Sequence, residues 1–315
     1  MKVLFFGQWD WSNTSHRVAR AINATGLAEA RVCVQFPHPL GYQEDMVVER
    51  GSHDEAVDWI KSADWIVNTG GNGLVGSIYF TSMVALLKPR ARYATIHPGP
   101  EYRHEADHWN KNDAEIGYVR RFIGGDLYRF ALDDPKAVPY FAPPHIAPTD
   151  VPVPLNGRVR VSHSPSSRGT KNTDAIVAAA ESIDVDFDLI ENVSFAECAA
   201  RRARSHIFVD QVHDEIGGFG AAAVEAISSG CAVLADVHNI VPQVNNFYPP
   251  PPIIDVSAGR RIGDVQVGND SLKAALADLV TSPERLEAAR QDSLVWAREH
   301  ASQDAIARYW LEQLA

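Results

Sequence analysis

The stretch Gly217-Gly218-Phe219-Gly220-Ala221-Ala222-Ala223-Val224-Glu225-Ala226-Ile227-Ser228-Ser229-Gly230 decides how this chain is read. It lies between two apolar runs, His206-Ile207-Phe208-Val209-Asp210 and Cys231-Ala232-Val233-Leu234-Ala235. That order predicts a strand, a glycine loop, a helix, a glycine stop and a second strand. Glycines let backbone N–H groups approach a ligand closely, and the N-terminus of a helix favours an anion. Glu225 falls in the second turn of the predicted helix, where a carboxylate has no evident packing role. The stretch therefore predicts an anion site with an acidic residue beside it.

Working outward, the first half alternates strand and helix signals. Residues 1–7, 30–36, 63–68 and 93–96 read as strands. A helix capped by Thr14 or Ser15 runs to Gly26 with Val18, Ala19 and Ile22 on one face, and residues 54–62 form another. Residues 134–156 hold Pro135, Pro139, Pro143, Pro144, Pro148, Pro152 and Pro154, the best linker in the chain. The alternation then restarts, with strands at 158–161, 186–190 and 252–256 and a helix at 172–183. Ser194-x-x-Glu197 is a capping box that opens a helix to Arg204. Residues beyond Ser271 are helical, with Ser282 capping one helix and Ser302 or Gln303 starting another. Strands alternating with helices imply a parallel sheet covered on both faces, twice over. Open sheets of this kind bind ligands at the carboxyl ends of their strands. A cleft between two such sheets is the expected site.

Composition bounds the class. The chain has 315 residues, 45% of them hydrophobic and 22% charged, ordinary for a globular protein of about two domains. No apolar run approaches the ~18 residues of a membrane span. The first residues read as a strand and not as a signal peptide. The formal net charge of −11 disfavours nucleic acid as a partner. Two basic clusters, Lys88-Pro89-Arg90-Ala91-Arg92 and Arg201-Arg202-Ala203-Arg204, read as solvated faces. Cys33, Cys198 and Cys231 have no metal-type spacing and fit thiols in a reducing cytoplasm.

Three segments carry a resemblance. They are Val161-Ser162-His163-Ser164-Pro165-Ser166-Ser167-Arg168-Gly169-Thr170-Lys171-Asn172-Thr173, the stretch 187–208, and the stretch 217–235 with its Gly-Phe-Gly, Glu-Ala and closing glycine. Residues 158–236 resemble the donor domain of GT-B-fold nucleotide-sugar glycosyltransferases of the group 1, family-4-like kind. The likeness extends weakly into the first half through Ile96-His97-Pro98-Gly99-Pro100-Glu101-Tyr102-Arg103. It implies an α/β, GT-B-like fold of two doubly wound Rossmann-like domains facing a cleft. Residues 1–150 would form the acceptor side and 151–285 the donor domain, with helices in 286–315 packing back toward the first.

The same resemblance implies retaining, metal-independent transfer of a sugar from a nucleotide diphosphate-sugar to an unidentified acceptor. No cofactor is implied beyond the donor substrate. Lys171 and Arg168 would neutralise the departing diphosphate, and His97 would face the transferred sugar. His163, Thr173, Gly218, Phe219, Gly220 and Glu225 would bind the donor, Glu225 through the ribose hydroxyls. Trp9, Asp10 and Trp11 are candidates for an acceptor wall, since aromatic faces suit sugars and bases. Asn72 and Arg103 join them on the acceptor side. A nucleotide-sugar epimerase on the same fold is the runner-up, and a non-catalytic sugar-nucleotide binding protein the third reading.

One departure and two competing motifs stand out. The resemblance implies two acidic residues eight positions apart, yet the position eight before Glu225 is Gly217; Asp214 and Glu215 lie just upstream. His104-Glu105-x-x-His108 formally matches a zinc hydrolase helix. A third ligand is not evident, because Lys111 and Ala114 occupy the places where the extended pattern has Gly and His. Gly71-x-Gly73-x-x-Gly76 formally matches a dinucleotide fingerprint. It follows the third strand instead of the first and reads as a loop near the acceptor.

Overall fold

Continuous burial of the first strand sets the architecture. Val3, Leu4, Phe5 and Phe6 are all at most 1% exposed, which places them in the middle of a sheet covered on both faces. The structure, a computed structural model, describes residues 1–10, 13–38, 41–69, 87, 90–213, 215–262 and 265–315. Trp11, Asn72, Asp214 and the Gly71–Gly76 motif lie outside them. The chain divides into two compact units, Met1–Pro143 with Gln303–Ala315, and Pro144–Ser302.

In the first unit the strands are β1 (Lys2–Gly7), β2 (Glu29–Val34), β3 (Met46–Val47), β4 (Trp65–Thr69), β5 (Arg92–His97), β6 (Arg120–Gly124) and β7 (Ala137–Tyr140). They form one parallel sheet in the order β3-β2-β1-β4-β5-β6-β7. The order reverses between β1 and β4, the mark of a doubly wound sheet. Strand β7 lies inside the proline-rich segment expected as a linker. Pro139 is tolerated there because β7 is an edge strand.

Helices α1 (Thr14–Thr25), α2 (His53–Ser62) and α3 (Pro100–Ile116) connect these strands. Neither Thr14 nor Ser15 caps α1. Asp10 does so from upstream, accepting from the N–H groups of Ser15 (3.1 Å) and His16 (2.9 Å).

In the second unit β8 (Arg160–His163), β9 (Asp186–Leu189), β10 (Ile207–Val209), β11 (Ala232–Ala235) and β12 (Ile253–Asp255) form a parallel sheet in the order β12-β11-β10-β8-β9. Here the reversal falls between β8 and β10. The helices are α4 (Arg168–Lys171), α5 (Thr173–Glu181), α6 (Phe195–Arg202), α7 (Ala221–Ser228), α8 (Ser271–Thr281) and α9 (Pro283–His300). Ser194 caps α6 through the N–H of Glu197 at 3.2 Å. Strands β13 (Ala258–Ile262) and β14 (Val265–Asp270) form a separate antiparallel hairpin. Val161, Ile207, Val209, Ala232, Leu234, Leu272 and Leu276 anchor one buried core of this unit.

The closing helices part company, unlike the expectation that 286–315 returns as a whole. Helix α9 packs on α7 and β11 inside the second unit. Its Arg290, 1% exposed, donates to the Gly230 carbonyl at 3.0 Å and to the Val153 carbonyl. Helix α10 (Gln303–Leu314) packs on α1 in the first unit. Its Trp310 stacks on Phe122 with ring centroids 3.9 Å apart. Arg92 and Arg120 donate to the carbonyls of Leu314 and Gln313, closing the helix C-terminus with positive charge. Arg92 also lies over the Trp65 ring at 4.3 Å while staying exposed, as expected of its cluster.

Candidate active site

The reversal between β8 and β10 puts the carboxyl ends of two strands side by side, the place where open α/β sheets take ligands. Asp210 and Gln211 follow β10 directly. Lys171, at the end of α4, is 8% exposed and reaches both. Its ammonium donates to Asp210 Oδ1 at 2.6 Å and to Gln211 Oε1 at 2.9 Å. The second oxygen of Asp210 accepts the N–H of Gly220, the residue before α7, at 2.7 Å. The Gln211 amide donates to the Gly218 carbonyl at 2.7 Å. A Cβ on Gly220 would stand 3.3 Å from the Lys171 ammonium, so a glycine there lets the helix start sit against the charge pair.

The expected cluster is thus partly assembled: Lys171, Gly218 and Gly220 meet through Asp210 and Gln211. The carboxylate of Asp210 holds two groups assigned to the phosphate, the lysine and a helix-start amide. Phe219 is half-buried between the two glycines.

His163 and Thr173 meet beneath this layer. Both are 0% exposed. The Thr173 hydroxyl lies 2.9 Å from His163 Nε2, and His163 Nδ1 lies 2.8 Å from the Val209 carbonyl. A carbonyl only accepts, so Nδ1 carries the proton and Nε2 accepts from the threonine. Burial pushes the histidine's pKa below its ordinary value, against the Val209 bond, which raises it. This neutral imidazole ties the first turn of α5 to β10, directly before Asp210.

Glu225 is 3% exposed on α7 and paired with Arg202 of α6. Arg202 is itself 3% exposed; it also reaches Ser164 Oγ at 3.4 Å and lies over the Phe208 ring. The expectation that residues 201–204 form a solvated face is therefore wrong at Arg202, which α6 turns inward. Arg201 pairs with Asp188 on the flank. Arg168 is exposed and bonded to Asp174 and Glu191, each at 2.8 Å.

Gly217 has a physical reason to be glycine. Its φ of +51 is left-handed, and a Cβ there would lie 2.5 Å from Asn239 Nδ2 and 2.7 Å from His238 Cε1. An acidic side chain at this position would strain the backbone and have to displace His238 and Asn239. The loop after β11 fills the space, with Asn239 N bonded to the Gly217 carbonyl at 2.9 Å and Asn239 Nδ2 to the Ile216 carbonyl at 3.1 Å. Glu215, the upstream alternative, is exposed.

In the first unit His97 closes β5 and is 1% exposed. Its Nε2 lies 2.7 Å from Asp113, which also accepts from Arg121 at 2.7 Å. Arg121 continues to Tyr102 and Asn110. Next to this network a cavity of about 600 Å³ is lined by Asn110, Asp113, Arg121, Arg129 and Lys136, at the amino ends of β6 and β7.

Both carboxylate oxygens of Asp10 are taken by the α1 backbone. Burial raises its pKa, and the His16 and Ser15 amides oppose that. Trp9 is half-buried against Phe36 at 5.4 Å, and Arg103 pairs with Asp126 at 2.6 Å. The His104-Glu105-x-x-His108 motif does not lie on a continuous helix, because Glu105 breaks α3 at φ −132, ψ 33. Among the described residues no group of three or more His, Cys, Asp or Glu side chains is placed to hold a metal.

With both sheets and this geometry in hand, comparison with solved structures decides the architecture. An α-glucosyltransferase in complex with UDP and a DNA containing an HMU base matches with a TM-score of 0.65 at 8% identity, covering 100% of this chain and 99% of that one. The fold is GT-B. The UDP-GlcNAc 2-epimerase from Neisseria meningitidis, bound to UDP-GlcNAc, matches at TM-score 0.54 and 13% identity over 100% and 99% of the chains. A UDP-N-acetylglucosamine 2-epimerase of Listeria monocytogenes, named putative, matches at 0.55 and 11% over 99% and 94%. No protein-family description matches the sequence. No curated protein matches it either.

Sequence reasoning did not single out Asp210, Gln211 or Arg202, which the structure places against the candidate residues. Asp210 had a readable signal: it is an acid directly after a predicted strand. Asp236-Val237-His238 stands in the same position after β11. Arg202 had none, because its partner lies on a different helix.

Proposed function

We propose that this GT-B chain is a nucleotide-sugar enzyme that transfers a sugar from a nucleotide diphosphate-sugar to an acceptor. The observation that carries the reading is the meeting of Lys171, the Gly220 N–H and the Gly217–Gly220 loop at the β8/β10 reversal. A buried ammonium and a helix-start amide facing one point suit a diphosphate leaving group. In this reading the donor diphosphate competes with Asp210 for Lys171. His163 and Thr173 position the strand end beneath the site, and Arg202 fixes Glu225 at its edge. Arg168 contributes at the rim, where Asp174 and Glu191 already offset its charge. The α-glucosyltransferase match supports transfer as the reaction class. The acidic balance of the chain favours a small or neutral acceptor over the DNA seen with that neighbour.

The epimerase matches favour a second reading, isomerisation of the nucleotide-sugar itself. Product analysis separates the two. Transfer predicts that UDP-glucose or UDP-GlcNAc is consumed, with UDP released, only when an acceptor from a panel of sugars and alcohols is added. Conversion of the donor alone into an isomer would replace transfer by epimerisation. No binding and no turnover of any nucleotide-sugar would overturn both.

A further inference from the structure

One hydrogen-bonded network runs along the carboxyl edge of the second sheet and ends at a histidine. From Lys171 it passes through Gln211, whose backbone carbonyl accepts the N–H of Asp236 at 2.9 Å. Asp236 follows β11 and its side chain is 6% exposed. Its Oδ1 holds Nδ1 of His238 and accepts the His238 backbone N–H at 3.3 Å. The His238 side chain is 47% exposed. The buried members of this chain are engaged with one another, and the imidazole is where it reaches solvent.

We infer that His238, oriented by Asp236, is the residue that contacts the sugar portion of the nucleotide-sugar. The inference rests on the nucleotide-sugar reading above. A carboxylate at Nδ1 fixes the ring and its tautomer, leaving Nε2 to accept a hydrogen bond from a hydroxyl. The ring sits against Gly217, in the space a side chain on that loop would need. It is therefore tied to the glycine loop that carries Gly220, through Asn239 and the Gly217 carbonyl. A ligand whose phosphates reach Lys171 and Gly220 at this strand edge extends its next group over the same loop. A polyhydroxylated ring is the group that a half-exposed, carboxylate-held imidazole recognises. An ordinary surface ion pair would need neither a buried aspartate nor a link to Lys171.

The test compares affinities for UDP, UDP-glucose and UDP-GlcNAc by titration calorimetry in wild type, His238→Ala, His238→Gln and Asp236→Asn. The exposed imidazole makes both His238 variants tolerable to the fold, and melting temperatures check this. His238→Ala is expected to weaken the preferred UDP-sugar about tenfold while UDP changes less than about twofold, the loss of one good hydrogen bond. His238→Gln recovers part of the loss, and Asp236→Asn falls between wild type and His238→Ala. Unchanged UDP-sugar affinity in folded His238→Ala overturns the assignment of His238 alone. A wild-type protein that binds none of the three ligands overturns the nucleotide-sugar reading and this inference with it.

Discussion

Each unit carries a buried polar network near the end of a strand, and the two differ in how they reach open space within their own sheet. In the first, His97, Asp113, Arg121, Tyr102 and Asn110 bond to one another, and the open space beside them lies at the amino ends of β6 and β7. In the second, Lys171, Asp210, Gln211 and Asp236 run along the carboxyl ends of β10 and β11 and reach solvent at His238. Sequence position alone made His97 and Lys171 look equivalent, each a chemically active residue beside a strand. Burial separates them. His97 has no surface to offer a ligand from its own unit, and its partner Asp113 is 2% exposed. A polar network becomes a site when it ends at an accessible group on the ligand-binding edge of the sheet.

The largest effect should come from breaking each network at its charge pair. Lys171→Met leaves Asp210 buried without its cation, and Arg121→Met does the same to Asp113. Both should lose about 3–5 kcal/mol of stability in denaturant titrations. Only Lys171→Met should also lose nucleotide affinity, by more than about tenfold when measured well below its melting temperature. Equal nucleotide affinities in the two folded variants would erase the distinction. The ion pair of Lys171 with Asp210 is what requires the stability loss alongside the loss of affinity.

Asp210→Asn sharpens the second network from the other side. With the competing carboxylate gone, Lys171 and the Gly220 amide are released to a diphosphate. UDP affinity should rise about tenfold while the melting temperature falls. A fall in UDP affinity would mean that Asp210 positions Lys171 instead of competing for it.

Much of this architecture is legible in the sequence, for physical reasons that also mark where legibility stops. Val3-Leu4-Phe5-Phe6 and Cys231-Ala232-Val233-Leu234-Ala235 are buried on both faces, so their uninterrupted apolar character declares strands. Arg120-Arg121-Phe122-Ile123-Gly124 and Ala137-Val138-Pro139-Tyr140 do not: one opens with charges that turn out to be partnered, the other holds a proline that only an edge strand accepts. Lys171 and the glycine loop are legible through their order along the chain. Their partners are not, because whether Asp210 meets Lys171 or Arg202 meets Glu225 is set by how α4 and α6 settle on the sheet. Gly217 shows both sides: its identity looks like a missing acid in sequence, and the φ of +51 with His238 and Asn239 above it supplies the reason.

The histidines give a smaller, pH-dependent difference. Burial lowers the pKa of His163 and His206 in the second unit and of His16 in the first, with the Val209 and Pro154 carbonyls and Asp45, respectively, opposing it. A depressed folded pKa means that the unfolded chain takes up the proton first. Stability is therefore full above the unfolded histidine value of about 6.5 and declines as pH falls below it. Each histidine contributes at most about 1.4 kcal/mol per pH unit in that window. Chemical denaturation between pH 7.5 and 5 should show the decline, and His163→Gln should flatten it. A stability that rises toward pH 5 would contradict the neutral, carbonyl-bonded state of His163.

The smallest expected effect on ligand binding belongs to His97→Gln. It should lower the melting temperature through Asp113 while leaving UDP affinity within about twofold, since His97 Nε2 is engaged by Asp113 inside its own unit.

Calorimetric titration of UDP into wild type and into folded Lys171→Met tests the central claim most directly. The account predicts saturable one-site binding to the wild type and a loss of more than about tenfold in the variant. Equal binding by both proteins, or none by the wild type, would contradict a diphosphate site at the carboxyl edge of β8, β10 and β11.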